Sequence, residues 1–194
     1  MHGAEIEQAA GLLLAAPPRL GAVRLLAIDG PSGSGKSTLA DALAAVLRER
    51  DHHTALVRSD EFATWDDPVA WWPRLVDGVL EPLRRGESGR YQRTAWTGGH
   101  PHPGEWITLP APEILLLEGV STGRRSLAPL LSALVWVELA DPGRRLERAV
   151  TRDGDMCRNP LLRWQRFERG WFGVDDTRER ADLRVNADGH RKIG

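Results

Sequence analysis

The sequence is poor in several features that mark whole classes of protein. It contains one cysteine, Cys157, so neither an intramolecular disulfide nor a cysteine-rich zinc site is expected. A reduced, cytoplasmic setting follows as an expectation. The formal net charge of -1 provides no overall basic field, which argues against nucleic acid as a partner.

Long hydrophobic runs are also missing. The apolar stretch near the N-terminus, GLLLAA, is far too short to span a bilayer, and two glutamates rather than basic residues precede it. We therefore expect no membrane partner. The same stretch predicts an amphipathic helix over residues 4–16, ended by Pro17 and Pro18. A chain of 194 residues with 41% hydrophobic content suits one domain with a sizeable core.

Lysine is scarce, because only Lys36 and Lys192 are lysines among 26 basic residues. Lys36 stands in GPSGSGKS at 30–37, which matches the phosphate-loop pattern Gly-x₄-Gly-Lys-Ser. Glycines let successive N–H groups turn toward phosphate oxygens, and the following helix adds its positive N-terminal end. The pattern predicts a site for the phosphates of ATP or GTP. We expect its residues to be Gly30, Ser32, Gly33, Ser34, Gly35, Lys36, Ser37 and Thr38.

Strand-like and helix-like patterns alternate along the chain. Apolar runs predict strands at 23–28, 54–58, 114–117, 134–139 and 183–185, and helical periodicity predicts helices at 36–50, 68–85, 143–152 and 161–172. Segment 86–112 is rich in Gly, Pro, His and Trp, which is typical of a loop or a small insert. The alternation indicates an α/β fold with a parallel sheet and right-handed crossovers.

Acidic residues follow three of the predicted strands. Ligands of open parallel sheets bind beyond the carboxyl ends of the strands. Glu118 ends the run ILLLE and is a candidate to bind Mg²⁺ together with the Ser37 hydroxyl. Asp60 is a candidate to accept a proton from an attacking hydroxyl. Asp29 has two interpretations, a position near the metal or hydrogen bonds to the loop backbone, and we favour the second.

The order of these motifs resembles that of uridine kinases, a branch of the phosphate-loop kinases related to nucleoside-monophosphate kinases. The phosphate loop is followed by SDEF at 59–62, RYQ at 90–92, LLLEGV at 115–120 and RRLERAVTRD at 144–153. The resemblance implies a five-stranded parallel sheet in the order 2-3-1-4-5 with helices on both faces. It also implies ATP, Mg²⁺ and transfer of the γ-phosphoryl group to the 5′-hydroxyl of uridine or cytidine.

The resemblance also implies roles for individual residues. Asp60 would be the catalytic base, Tyr91 would contact the nucleoside, and Arg148 and Arg152 would close over the phosphates. Arg93 could serve an acceptor that needs additional positive charge. We expect one kinase domain over 1–194, with a helix in 1–20, an acceptor-site helix and insert in 61–112, and a lid-like helical region in 142–175.

Several alternatives stay open. The Arg-Gly pair that usually follows Arg-Asp in such kinases is missing here, since Asp153 precedes Gly154-Asp155. The acceptor could therefore be CMP, a sugar, pantothenate or an antibiotic, and the protein could instead be a regulatory ATPase. Tryptophans of the insert could stack on a base or form a small aromatic core; they are Trp65, Trp71, Trp72, Trp96 and Trp106. His100 and His102 fit a solvated loop better than a metal site, and a homo-oligomer is left open.

Overall fold

The computed structural model describes residues 3–66 and 68–187. Lys192 and the ends of the predicted 1–194 domain lie outside the described residues. The strands are β1 (Arg24–Asp29), β2 (Thr54–Arg58), β3 (Gly89–Thr97), β4 (His100–Leu109), β5 (Ile114–Glu118), β6 (Ala133–Glu138) and β7 (Leu183–Asn186). The helices are α1 (Gly3–Ala15), α2 (Lys36–Glu49), α3 (Trp72–Leu75), α4 (Glu81–Arg84), α5 (Pro142–Asp153), α6 (Arg158–Asp175) and α7 (Thr177–Arg180).

Five strands form the central parallel sheet in the order β2-β5-β1-β6-β7. These labels differ from the predicted ones only because β3 and β4 form a separate two-stranded sheet. Counted among the five parallel strands alone, the order is 2-3-1-4-5, so the predicted α/β class is confirmed. The register pairs Ile28 of β1 with Glu118 of β5, and therefore Asp29 and Glu118 end adjacent strands at one edge.

Helices cover both faces of the sheet. Because successive side chains of a strand point to opposite faces, each strand contributes residues to the core on both sides. Leu26 and Ile28 of β1 pack in the core cluster that contains the buried residues of α1 and α2. Leu25 and Ala27 pack in a second cluster with residues of α3 and α4. In the part of the chain that is described, no helix is both long and apolar enough to cross a membrane.

The segment predicted as one helix over 68–85 is interrupted. Helix α3 begins at Trp72, a π-helical turn covers Val76–Leu80, and α4 continues the path. Pro82 lies in the first turn of α4. Because its ring would clash with the carbonyl group four residues earlier, at Gly78, the wider π-turn relieves the contact. Gly78 also lets the neighbouring strand β3 approach, since an added β-carbon would lie 3.0 Å from the carbonyl oxygen of Arg90.

Of the two expectations for 86–112, a loop or a small insert, the loop is wrong, because most of this segment forms an antiparallel hairpin of β3 and β4 that is separate from the central sheet. The turn between the strands is Gly98-Gly99, and both glycines have positive φ angles, 56° and 76°. Pro101 and Pro103 pair with Trp96 and Thr94. Prolines are tolerated here because a two-stranded sheet consists only of edge strands.

Candidate active site

The phosphate loop lies between β1 and α2, and two glycines are required by its surroundings. Gly30 has a φ of 144°, and an added β-carbon would lie 2.1 Å from the carbonyl oxygen of Val137. Gly33 has a φ of 75°, and an added β-carbon would lie 2.2 Å from the carbonyl oxygen of Arg145. Helix α2 then starts without a side-chain cap, since its N-cap residue is Gly35. The first-turn amide groups and the helix dipole are thus suited to an anion.

Lys36 is buried at this helix start, with 6% of its surface exposed. Its Nζ atom donates a 3.0 Å hydrogen bond to the carbonyl oxygen of Pro31. The lysine charge also acts on three buried carboxyl groups, and opposes the rise in pKa that burial imposes on Asp29, Glu118 and Glu168. A single compact ammonium group therefore balances acids from three separate elements.

Ser37 and Glu118 meet at the end of β5. The Ser37 hydroxyl donates to Glu118 Oε2 at 3.2 Å, and Arg58 Nε lies 3.6 Å from the same oxygen. Burial raises the pKa of Glu118 above its ordinary range, while the charges of Lys36 and Arg58 lower it. One hydroxyl and one carboxylate are hard oxygen ligands of the kind Mg²⁺ prefers when phosphates and water complete its shell. Among the described residues, no cluster of three or more His, Cys, Asp or Glu could hold a metal alone.

Asp29 is completely buried, and its carboxylate binds both loops that follow β1 and β5 at this edge of the sheet. Its Oδ1 accepts hydrogen bonds from the amides of Gly30 at 2.7 Å and Ser121 at 3.0 Å. Its Oδ2 accepts one from the Gly123 amide at 2.8 Å. The favoured interpretation, hydrogen bonds to the loop backbone, is confirmed. Asp29 thus ties the phosphate loop to the loop that follows Glu118.

A cavity of about 930 Å³ opens over the phosphate loop. Asp60, Arg148 and Arg152 line it together with Lys36, Ser37 and Glu118. Arg152 pairs with Asp153, with Nε 2.6 Å from the carboxylate, and the negative charges of Asp60 and Glu118 add to the rise in its pKa. The structure therefore brings the predicted base, lid arginines, loop lysine and metal ligands to one cavity.

Tyr91 and Arg93 line a different cavity, of about 640 Å³, on the hairpin. The Tyr91 ring stacks on Phe62 at 4.8 Å, and its hydroxyl donates to Glu61 Oε2 at 2.5 Å. Burial raises the pKa of Tyr91. Arg93 pairs with Glu105 at 2.9 Å. These two residues therefore line a cavity other than the one that Asp60 lines, although the Tyr91 hydroxyl contacts Glu61, the residue next to Asp60.

Comparisons with known proteins show what this arrangement is similar to. No protein-family model matches the chain. A uridine kinase of Borrelia duttonii (strain Ly) is 24% identical over 183 residues, which cover 87% of this chain and 88% of the relative. A structure from Bacillus stearothermophilus described as a possible uridine kinase has a TM-score of 0.66 at 19% identity, over 94% of this chain and 98% of the other. D-glycerate 3-kinase from Cryptococcus neoformans var. grubii has a TM-score of 0.53 at 14% identity, over 92% and 88%.

The chain has the uridine kinase-like phosphate-loop fold. The resemblance predicted from the motif order is thereby confirmed, and the agreement extends over nearly the whole chain. In this uridine kinase-like fold the phosphate loop, Glu118 and Asp60 all lie at the carboxyl edge of the sheet, where ligands of open α/β sheets bind.

Sequence reasoning missed Glu168 of α6. This side chain is 1% exposed, and its Oε2 accepts a 2.9 Å hydrogen bond from the Ser32 amide of the phosphate loop. A signal was present, because Leu161, Gln165 and Glu168 are the buried residues of α6 and follow the i, i+4, i+7 spacing of one helix face. Only Leu161 of these three residues is apolar, so a search for apolar residues at helical spacing does not show that Glu168 lies on the buried face.

The tryptophans of the insert separate into three environments. Trp71 and Trp72 lie against the Arg124 guanidinium, at 5.2 and 4.2 Å from its central carbon. Trp106 is 55% exposed and lies under Arg90 at 4.4 Å. Trp65 and Trp96 line the cavity over the phosphate loop. Of the two histidines, His102 Nε2 lies 3.0 Å from the Thr97 hydroxyl.

Proposed function

We propose that this chain is an ATP-dependent small-molecule kinase that transfers the γ-phosphoryl group of ATP to a hydroxyl group. The observation that carries the proposal is the shared cavity, where Lys36, Ser37 and Glu118 lie together with Asp60. A phosphate cradle alone would serve any nucleotide-binding protein. A carboxylate in the same cavity supplies the group that a hydroxyl acceptor needs.

The residues divide the chemistry between them. Lys36 and the first-turn amides of α2 hold phosphate oxygens, and Arg148 and Arg152 offset charge on the transferring group. Asp60 orients the acceptor hydroxyl and takes its proton as the oxygen bonds to phosphorus and the bond from phosphorus to ADP breaks. The Ser37 hydroxyl and Glu118 carboxylate would hold Mg²⁺, which supplies further charge neutralisation when bound.

The best-supported acceptor is the 5′-hydroxyl of uridine or cytidine. The support is the motif order together with the similarity to proteins named uridine kinase. The similarity to a D-glycerate kinase keeps other hydroxyl acceptors open, including CMP, sugars, pantothenate and antibiotics. Since Tyr91 and Arg93 line the other cavity, the proposed acceptor site depends on Asp60 rather than on them.

The test is a screen for acceptor-stimulated ADP release from MgATP over nucleosides, nucleotides, sugars and vitamins. We expect uridine or cytidine to raise the rate above the acceptor-free background. Lys36→Ala should lower the stimulated rate by roughly 10²–10³-fold, because it removes a charge aimed at the transferring group. Arg85→Ala is the matched control, since Arg85 is an exposed cation at the end of α4 that pairs with Glu87.

Three outcomes are informative. Stimulation by a sugar, vitamin or nucleotide alone keeps the kinase and replaces the nucleoside. ADP release that no hydroxyl compound stimulates favours the regulatory ATPase. A folded Lys36→Ala protein with unchanged turnover at saturating MgATP contradicts the phosphate-loop assignment.

A further inference from the structure

The side chain of Arg124 is a buried cation between three tryptophan rings. Its central carbon lies 5.2 Å from the ring centroid of Trp71, 4.2 Å from that of Trp72 and 5.2 Å from that of Trp171. Trp71 and Trp72 lie at the start of α3, and Trp171 belongs to α6. All three distances are within the range of cation–π attraction. We refer to Arg124 and these three rings as the arginine cage.

The guanidinium group of Arg124 also binds oxygen atoms of two segments. It donates to the carbonyl oxygen of Ser121 at 3.1 Å through Nε and to the Ser121 hydroxyl at 3.0 Å through Nη2. Nη2 also donates to the carbonyl oxygen of Val69 at 3.1 Å. Ser121 belongs to the loop after β5, and Val69 precedes α3. One side chain therefore joins that loop to the start of α3 and, through Trp171, to α6.

Arg124 keeps its charge although it is buried. The residue is 7% exposed, and burial lowers its pKa to about 10, so the side chain is still a cation at neutral pH. A buried cation destabilises a fold unless its surroundings compensate the charge. Here its hydrogen bonds go to uncharged oxygens, while Asp29 and Asp175 act on it through their charges. The contacts of Arg124 thus fix backbone and rings in place.

Ser121 connects the arginine cage to the phosphate loop. Its φ angle is 69°, which is uncommon for a residue other than glycine, and hydrogen bonds hold it from two sides. Arg124 binds its carbonyl and hydroxyl oxygens, while its amide donates to Asp29 Oδ1 at 3.0 Å. The same Asp29 oxygen accepts from the Gly30 amide at 2.7 Å. A chain of hydrogen-bonded groups therefore runs from Arg124 to the first residue of the phosphate loop.

The segments that the arginine cage joins form three walls of the cavity over the phosphate loop, and Arg124 lies behind them rather than among the lining residues. Gly119 and Val120 belong to the loop after β5, Trp65 to the segment between β2 and α3, and Trp164 to α6. A displacement of about 1 Å between reacting groups can lower a rate about 100-fold. The relative positions of these walls therefore matter for phosphoryl transfer.

We propose that Arg124 is a positioning residue that holds the three walls in the arrangement that phosphoryl transfer requires. The inference rests on the proposed kinase function. Water competes with the acceptor hydroxyl: when a water oxygen bonds to the γ-phosphorus and the bond from phosphorus to ADP breaks, the products are ADP and inorganic phosphate. Walls that are held loosely should slow transfer more than hydrolysis, because the acceptor needs a fixed orientation and water does not.

The kinetic test measures two rates for each protein. These are phosphoryl transfer to uridine, or to the acceptor that the screen identifies, and release of inorganic phosphate from MgATP without an acceptor. Arg124→Met removes the charge and the hydrogen bonds. We expect it to lower transfer by about 10–100-fold and to raise the ratio of hydrolysis to transfer by about 10-fold or more. A role in stability alone would lower both rates equally, through the amount of folded enzyme, and would leave their ratio unchanged.

Three further variants complete the test. Arg124→Lys keeps a cation between the rings but loses the planar group that binds two segments at once, and it should restore part of the transfer rate. Arg125→Met is the matched control, because Arg125 is the next residue, its side chain is 60% exposed and it pairs with Asp176. It should leave the ratio unchanged. If Arg124→Met does not fold, Trp171→Leu takes its place, since it removes one ring of the cage and should raise the ratio to a smaller extent.

Hydrogen exchange distinguishes failure of this inference from failure of the kinase proposal. If no acceptor stimulates ADP release, the kinase proposal fails, and exchange of backbone amides with and without MgADP then decides the role of Arg124. In the wild type MgADP should slow exchange both in the phosphate loop and in α3, whereas in Arg124→Met it should slow exchange in the phosphate loop alone. The inference is overturned if Arg124→Met has the wild-type ratio of hydrolysis to transfer, or if MgADP protects α3 equally in both proteins.

Discussion

Glu168 Oε2 accepts a 2.9 Å hydrogen bond from the backbone amide of Ser32, 136 positions earlier in the chain. The carboxyl group is buried, and its second oxygen, Oε1, has no hydrogen-bond partner among the described residues. Burial raises the pKa of Glu168, whereas the Ser32 amide and the charge of Lys36 lower it. Helix α6 is therefore connected to the phosphate loop through a buried acid beside the proposed nucleotide site.

Glu168→Gln separates the hydrogen bond of this residue from its charge. The glutamine oxygen can still accept from the Ser32 amide, but the negative charge that opposes bound phosphates is gone. We expect ADP to bind several-fold more tightly than to wild type, because repulsion between like charges is only weakly screened at a buried site. Isothermal titration calorimetry with ADP measures the change.

Glu168→Ala removes both the acceptor and the charge. The Ser32 amide then loses its partner, and the free energy of unfolding should fall by about 1–3 kcal/mol. Glu113→Gln is the control, since Glu113 is an exposed acid paired with His52. Weaker ADP binding to Glu168→Gln than to wild type would show that the charge supports the nucleotide site, which is contrary to this prediction.

The central sheet could be predicted from the sequence because each strand carries its own signal. The apolar pattern predicts the second strand at 54–58, and the structure has it at Thr54–Arg58. The run that ends at Glu118 is buried throughout. Both faces of these strands are covered, so almost every residue is apolar and the pattern is visible locally. The phosphate-loop pattern is equally local, because GPSGSGKS occupies the contiguous positions 30–37, although the carbonyl groups that require glycine at 30 and 33 belong to the distant residues Val137 and Arg145.

The features that could not be predicted depend on contacts between distant segments. The hairpin lacks strict alternation, since its register shifts between Gln92 and Thr94, and its prolines suggest a loop. The place of Tyr91 at the cavity on the hairpin follows from how that hairpin packs on Phe62. The role of Glu168 exists only because α6 lies against the phosphate loop. The residues around each position can indicate a buried face, but they do not specify which distant segment that face contacts.

Asp29 leads to a prediction about stability and pH. Burial raises its pKa from the ordinary value of 3.8 to about 7. The native state then binds the proton more tightly than the unfolded chain does. The contribution of Asp29 to the free energy of unfolding is fully present below about pH 4. It declines as the pH rises toward about 7 and is lost above that value. The free energy of unfolding should therefore fall between about pH 4 and pH 7.

Asp29→Asn removes this contribution, because asparagine does not titrate. The wild type should lose more stability between pH 5 and pH 8 than the variant, as measured by urea unfolding at both values. Since the raised pKa values of Glu118 and Glu168 act in the same direction, the difference between the two proteins is diagnostic rather than the slope of either. Asp51→Asn, at an exposed aspartate, is the control. Equal losses in wild type and Asp29→Asn would contradict the prediction.

Asp60→Asn tests the residue on which the proposed chemistry depends most. Asp60 is exposed to the cavity that also contains Lys36 and Glu118. Asparagine keeps the size and one acceptor oxygen, but it cannot take a proton or hold the negative charge. If Asp60 is the base, kcat should fall by roughly 10²–10⁴-fold, the scale of a positioned acid–base group. ADP affinity should change little, since the phosphate loop is untouched.

The dependence of Asp60→Asn turnover on Mg²⁺ concentration separates the base from a metal ligand. A base cannot be replaced by more metal, so kcat should stay low at every Mg²⁺ concentration. A lost metal ligand would raise the metal requirement, and excess Mg²⁺ would restore part of the rate. Asp153→Asn gives a matched comparison, because this cavity aspartate pairs with Arg152 and should act through lid charge alone, with a smaller loss in kcat.

Near-normal kcat for Asp60→Asn at ordinary Mg²⁺ would reject both roles. The assignment would then move to Glu61, whose carboxylate accepts a hydrogen bond from the Tyr91 hydroxyl, and the acceptor site would move with it.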